Sequence, residues 1–262
     1  MIAVAHDGTR LHYLVEGSGP PIVLVGGKTS NIESAWWRYV PPLARRFKVI
    51  AFDNRGAGQS DKPNAPYSIT LMVDDALAVL TAAGEVSAHW FGISLGGMIL
   101  QRLALDHSDA VRSLILAATH CSGDRPGPLP ASAAELRDHP LRRYANLYDA
   151  RFILEHADWV REDAKHFGKM PLHAIGRQEQ AVKQHDVCDR LIEISKPVLI
   201  LHGRQDRMIP LARGEELARR LPNAHLQVLD PAGHQVHSEQ FATVLKLVTE
   251  FVDEVEARQP SS

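Results

Sequence analysis

The stretch from Val86 to Gly97, Val-Ser-Ala-His-Trp-Phe-Gly-Ile-Ser-Leu-Gly-Gly, constrains this 262-residue chain more than any other. Ala88 to Phe91 reads as a short buried strand, and Met98, Ile99, Leu103 and Leu105 follow at the spacing of a mainly apolar helix. The strand must become the helix at Ser94, within about two residues. Gly92 and Gly96 flank that serine in the spacing Gly-x-Ser-x-Gly, where a side chain would collide with the neighbouring strand or helix. Such a turn lifts the hydroxyl toward a cleft. The amide of Leu95 opens the helix, where unpaired N–H groups at the positive end of the dipole favour a developing oxyanion.

A hydroxyl is a poor nucleophile without a base, so the rest of the chain must supply an acid and a histidine. Two strand ends do so. Pro197 to His202 runs into Gly203-Arg204-Gln205-Asp206, and Leu226 to Leu229 runs into Pro231-Ala232-Gly233-His234. The order Ser94, Asp206, His234 is the one that accompanies this kind of elbow. His237, three residues past His234, is a competing base, and Asp230 reads as a turn former. Asp53 and Arg55 read as residues that pin a loop.

Strands alternate with helices along most of the chain, after an opening hairpin of Ile2–Val4 and Leu11–Val15, so the expected class is α/β. The sheet is mostly parallel, with about eight strands and flanking helices. Expected helices include 34–46, with Pro41-Pro42 inside it, and one opened by Ser68 and closed at Gly84. The alternation lapses from His120 to about Lys196. That length is too great for a loop in a compact domain, and helical patterns at 136–148, 152–167 and 175–191 fill it. The expected organisation is a core of residues 1–119 and 197–262 with a helical cap, 120–196, inserted between core strands.

Lys and Arg number 29 against 31 Asp and Glu, for a net charge of −2, so no strong field recruits nucleic acid or an anionic membrane. The N-terminal residues lack an apolar h-region, and no apolar run approaches the roughly 20 residues of a membrane span. The expected location is the cytosol. Cys121 and Cys188 are too few for a framework and are expected as free thiols. No spacing of His, Cys and Asp suggests a metal site, and no cofactor is expected.

With these residues in order, the chain resembles the α/β-hydrolase superfamily. The matching segments are a strand running into Gly26-Gly27, Asp-x-Arg-Gly-x-Gly-x-Ser from Asp53 to Ser60, Gly-Ile-Ser-Leu-Gly-Gly, Leu-His-Gly-x-x-Asp from Leu201 to Asp206, and Ala-Gly-His from Ala232 to His234. The resemblance implies Ser94 as nucleophile, His234 as base and Asp206 as the group orienting it, with the backbone amides of Lys28 and Leu95 as the oxyanion hole. Gly26-Gly27 departs from the usual His-Gly and is similar to the loop of some polyketide methylesterases. The Lys28 side chain is either a lure for a substrate carboxylate or a solvated ammonium. In the cap, Tyr144, Tyr148, Phe152, Trp159, Phe167, Met170 and Leu172, with Gly27 below, are expected to line an apolar pocket. The expected substrate is a small or medium, largely apolar ester or lactone. Carbon-carbon bond hydrolysis, cofactor-free perhydrolysis and a ligand-binding receptor are the alternatives that keep the same residues.

Overall fold

The computed structural model describes residues 1–123 and 136–258. The expectation for 124–135, inside the helical segment, lies outside the described residues, and so does that of a frayed end at Arg258–Ser262 except for Arg258, which is the last residue of the terminal helix.

Eight strands form one sheet: β1 (Ile2–Val4), β2 (Arg10–Glu16), β3 (Pro21–Val25), β4 (Lys48–Phe52), β5 (Ala88–Ile93), β6 (Val111–Ala117), β7 (Val198–Gly203) and β8 (Ala224–Leu229). Their order is β1-β2-β4-β3-β5-β6-β7-β8. β1 and β2 pair antiparallel, as the hairpin reading expected, and β2 also runs antiparallel to β4. From β4 onward every pairing is parallel. The central strands β3, β5 and β7 are buried at every residue, as expected for strands covered on both faces.

The side chains of these strands alternate between two cores. Val23, Val25 and Trp90 face one, with helices α3 (Ile69–Ala82) and α4 (Leu95–Asp106). Ile22, Leu24 and Phe91 face the other, with α1 (Ile32–Trp36), α2 (Val40–Leu43) and α10 (Phe241–Arg258). Ser68 caps α3 by accepting from the Leu71 amide at 3.1 Å, and Gly84 takes φ +79 just past its end. The helix expected over 34–46 is instead two short ones. Asn31 and Ser34 form a reciprocal cap that starts α1 early, and Pro41 and Pro42 sit within the four residues of α2. Proline is accepted in a first turn and not in a helix interior, which separates the two.

Between β6 and β7 the described chain carries α5 (Ala150–Glu155), α6 (Ala157–His166) and α7 (Leu172–Lys183), in place of the expected 152–167 and 175–191. The helix expected over 136–148 is a set of turns with a 3-10 segment at Arg142–Tyr144, because Pro140 removes a donor and disfavours helical backbone at His139. α5 and α6 enclose a small core of their own, with Leu136, Leu141, Tyr148, Phe152, Ile153 and Val160. α7 packs differently: Ala181 belongs to the first core of the sheet. α8 (Leu211–Arg220) and α9 (Val236–Glu239) follow β7 and β8. Among the described residues no helix is long and apolar enough to cross a membrane.

The expected free thiols are instead a disulfide, Cys121–Cys188, which joins the chain just past β6 to the segment just before β7. Both residues are buried, and cysteines that look isolated in sequence have met through the fold. Disulfides are rare in reducing compartments, so the bridge runs against the expected cytosolic location. The bridge closes a loop with a sequence separation of 67. Loop-closure entropy for that length predicts a loss of about 4 kcal/mol on reduction, which unfolding with and without a thiol reductant will measure.

Candidate active site

Chain order makes the site. β3 lies between β4 and β5, so the chain leaves β3 toward one edge and returns on its other side. A crevice opens outside the carboxyl ends of β3 and β5 at such a reversal. The Gly26-Gly27-Lys28 loop leaves β3 there and Ser94 ends β5. Asp206 follows β7 and His234 follows β8, on the same rim.

Ser94 has φ 52 and ψ −115, a conformation that a non-glycine residue adopts only under constraint. Its amide donates to the Ala117 carbonyl at 2.9 Å, and the Thr119 hydroxyl donates to its carbonyl at 2.7 Å. A Cβ on Gly96 would lie 2.2 Å from the Val25 carbonyl oxygen, so α4 can approach β3 only with glycine there. The sequence reading of a cramped strand-to-helix bend therefore matches the geometry.

His234 Nδ1 lies 2.9 Å from Asp206 Oδ2. Asp206 Oδ1 accepts the amides of Met208 and Ile209 at 2.9 and 2.8 Å. Burial pushes the Asp206 carboxyl up, but His234, His202 and the Ile209 amide outweigh it and hold it below the ordinary value. His202, fully buried, donates from Nε2 to the Ile209 carbonyl at 2.8 Å and so ties down the loop that carries Asp206.

Ser94 and His234 line one cavity of about 220 Å³, together with Gly27, Lys28, Thr29, Ser30, Ser34, Ala35, Ile93, Leu147, Phe167, Gly168, Met208, Gln235 and His237. Ser94 makes no hydrogen bond to His234 among the described residues, in contrast to the expected contact of about 3 Å; catalytic bonds of this kind are often long without substrate. Neither the Lys28 nor the Leu95 amide is spent on a backbone acceptor among the described loops.

The chain matches the sequence pattern of the alpha/beta hydrolase fold family over residues 20–156 and 129–241. It belongs to the α/β-hydrolase family. It is 32% identical over 248 residues to the protein named "Putative carbamate hydrolase RutD" of Azorhizobium caulinodans, covering 88% of this chain and 90% of that one. Among solved structures, Est816, described as an N-acyl homoserine lactone degrading enzyme, is 29% identical with a TM-score of 0.83, over 95% of this chain and 99% of that one. The enol-lactonase from Burkholderia xenovorans LB400 is 25% identical with a TM-score of 0.83, over 97% and 100%.

In this α/β-hydrolase the expected pocket lining needs correction. Gly27 and Phe167 line the cavity, whereas Tyr144, Tyr148, Phe152, Trp159, Met170 and Leu172 do not. Tyr148 and Phe152 fill the small core of α5 and α6, and the Tyr148 hydroxyl donates to Asp163 at 3.0 Å. Tyr144 packs edge-on against Phe167. Trp159 donates from Nε1 to Ser238 at 2.9 Å and carries Arg38 on its ring. Met170 reaches Gly56, and Leu172 is 85% exposed. A helical pair this small needs its own aromatic core before it can line anything. Of the liners that sequence reading missed, Thr29, Ser30 and Met208 sit in the loops beside the motifs and Ser34 in the first turn of α1, and proximity to Gly27 and Asp206 was the signal for them.

The weighed side chains also resolve. The Lys28 ammonium pairs with Glu179 of α7. His237 lines the cavity, but burial, with His234 nearby, pushes it down to about 3, and its Nδ1 has no partner. Among the described residues no carboxylate bonds its Nδ1, as one would to orient a base. Asp230 accepts from Arg204 and Gln205 at the surface. Asp53 accepts the Ile32 and Gln59 amides, both at 2.7 Å, and Arg55 forms a two-pronged pair with buried Asp75 at 2.5 and 2.6 Å. Cys121, Cys188 and Glu216 lie close enough to hold a metal ion, yet both sulfurs are joined in the disulfide and offer no thiolate.

Glu239 braces the His234 loop, accepting the Gly233 amide at 2.9 Å and the Asp149 amide at 2.8 Å. Burial pushes its carboxyl up to about 8 against the lowering effect of those amides. Above about pH 4.5 the folded state therefore holds a proton that the unfolded chain has lost, and this group's contribution to stability falls with rising pH until Glu239 itself ionises near pH 8. Five histidines, His89, His120, His185, His202 and His237, held below their ordinary value by burial, work the other way: at pH 6.5 the unfolded chain still carries part of their protons and sheds them as pH rises. The Glu239 effect is isolated by comparison with Glu239→Gln: from pH 6.5 to 8.5 the urea-unfolding stability of wild type relative to that variant is expected to fall by roughly 2 kcal/mol.

Proposed function

We propose that this α/β-hydrolase cleaves small acyl esters or lactones through an acyl-enzyme on Ser94. The observation that carries the reading is the 2.9 Å contact of His234 with Asp206 beside a cavity that both His234 and Ser94 line. Asp206 holds the proton on Nδ1, leaving Nε2 free to take the Ser94 proton as Oγ attacks the acyl carbon. The oxyanion is received by the amides of Lys28 and Leu95, each worth roughly 10² to 10³ in rate. The histidine then passes its proton to the leaving oxygen. Water, deprotonated by the same histidine, attacks the acyl carbon, and Oγ leaves with the proton as the acid departs.

The segment between β6 and β7 serves in this reading as the cap over Ser94, with Leu147, Phe167 and Gly168 as its share of the cavity wall. A volume near 220 Å³ falls below the roughly 300–1,000 Å³ of sites for drug-sized ligands, which favours short acyl groups. The wall mixes Ala35, Ile93, Leu147 and Met208 with Thr29, Ser30, Ser34 and Gln235. Those polar side chains, and the name of the Azorhizobium relative, favour a carbamate as the second reading.

Turnover of p-nitrophenyl acetate, butyrate and octanoate, a γ-lactone and a simple carbamate by purified protein tests both. The acetate and butyrate esters or the lactone are expected to react fastest, with kcat/KM falling at octanoate. Preference for the carbamate would replace the first reading with the second, and failure of every substrate would sink both.

A further inference from the structure

We propose that Gln178 of α7 is a positioning residue that holds the oxyanion loop in place, an inference that rests on the serine-hydrolase reading above. Its side chain is fully buried and uses both ends. Oε1 accepts the Thr29 amide at 2.9 Å, and Nε2 donates to the Arg55 carbonyl at 3.0 Å. One carboxamide thus links the loop after β3 to the loop after β4, from a helix on neither.

Thr29 shows why the link matters. It follows Lys28 directly and has φ 64, a left-handed backbone that a β-branched residue adopts only when its surroundings impose it. The Gly27 carbonyl accepts from Ser30 at 3.2 Å, and Asn54 donates to the Gly26 carbonyl at 2.9 Å, so the start of the loop is held from the core. The Thr29 amide is held from α7 instead. Freed of Gln178, the peptide joining Lys28 to Thr29 can relax toward ordinary backbone, carrying the Lys28 amide away from its aim.

The neighbouring Lys28–Glu179 pair is about one third exposed on each side, and pairs so placed contribute little. The buried carboxamide is the stronger constraint, because removing it strands the buried Arg55 carbonyl and leaves the Thr29 amide without its acceptor.

The test compares wild type, Gln178→Met and Gln178→Glu on p-nitrophenyl acetate, with a trifluoromethyl ketone as a reversible mimic of the tetrahedral adduct. Gln178→Met keeps the length and loses both bonds; Gln178→Glu keeps the acceptor for Thr29 alone. The expected result for Gln178→Met is a kcat lowered roughly 10- to 100-fold with KM within about two-fold, and the ketone weakened by the same factor. Gln178→Glu should fall between it and wild type. If Gln178→Met does not fold, Gln178→Glu decides by the same split. A kcat within two-fold of wild type, or a loss confined to KM, overturns the proposal. Labelling of wild-type Ser94 by a fluorophosphonate separates the two levels: no labelling removes the hydrolase reading and this inference with it, whereas labelling with an unaffected Gln178→Met removes this inference alone.

Discussion

Replacing Ser94 with alanine is expected to lower kcat by about 10⁵- to 10⁶-fold on any ester the protein turns over, while leaving its fold intact. The loss is large because, in the proposed mechanism, the whole acyl-transfer sequence passes through one oxygen. Fluorophosphonate labelling should vanish with it. The fold should survive because the bonds that impose φ 52 at this position are made by backbone atoms, to Ala117 and Thr119, and alanine retains them. Circular dichroism and the unfolding midpoint give the control. A variant that kept a tenth of the activity while remaining folded would remove the nucleophile from the mechanism.

Asp206→Asn is expected to cost on the order of 10⁴ in kcat, with little change in KM. The direction follows from how the two carboxylate oxygens are engaged. Oδ1 accepts two amides, from Met208 and Ile209, and Oδ2 faces His234. An asparagine must therefore keep its carbonyl oxygen on the two amides and turn its NH₂ toward the imidazole. Nδ1 then has to accept, the ring proton moves to Nε2, and the nitrogen meant for the Ser94 proton is already protonated. The checking measurements are kcat and KM on the acetate ester, beside an NMR spectrum of the His234 ring in which the Nδ1 proton signal is lost. Retention of that signal together with wild-type kcat would show that some other group orients the base.

The two residues differ in how far sequence carried them. Ser94 could be recognised from its neighbours because an elbow is a local object: Gly92 and Gly96 make the bend possible within five residues. Asp206 and His234 were legible one step less directly, as polar residues just past buried strands, since a parallel sheet puts all such ends on one rim. The cavity wall was not legible. Tyr148 and Phe152 satisfy the same apolar pattern whether they face a ligand or each other, and they face their own small core. Thr29 and Ser30 line the cavity without any periodic signal, because loop residues obey none.

Local chemistry in the sequence determined the strand-to-helix bend at Ser94, the α/β alternation and the three strand ends that carry polar groups, since each depends on residues a few positions apart. Contacts across long separations decided the rest. The bridge between Cys121 and Cys188, the pairing of Lys28 with Glu179, and the reach of Gln178 from α7 to Thr29 and Arg55 join segments that share no local pattern. Side chains so far apart in the chain become neighbours only after the sheet has closed and the segment between β6 and β7 has folded back over its edge. Their partners are therefore set by packing in three dimensions.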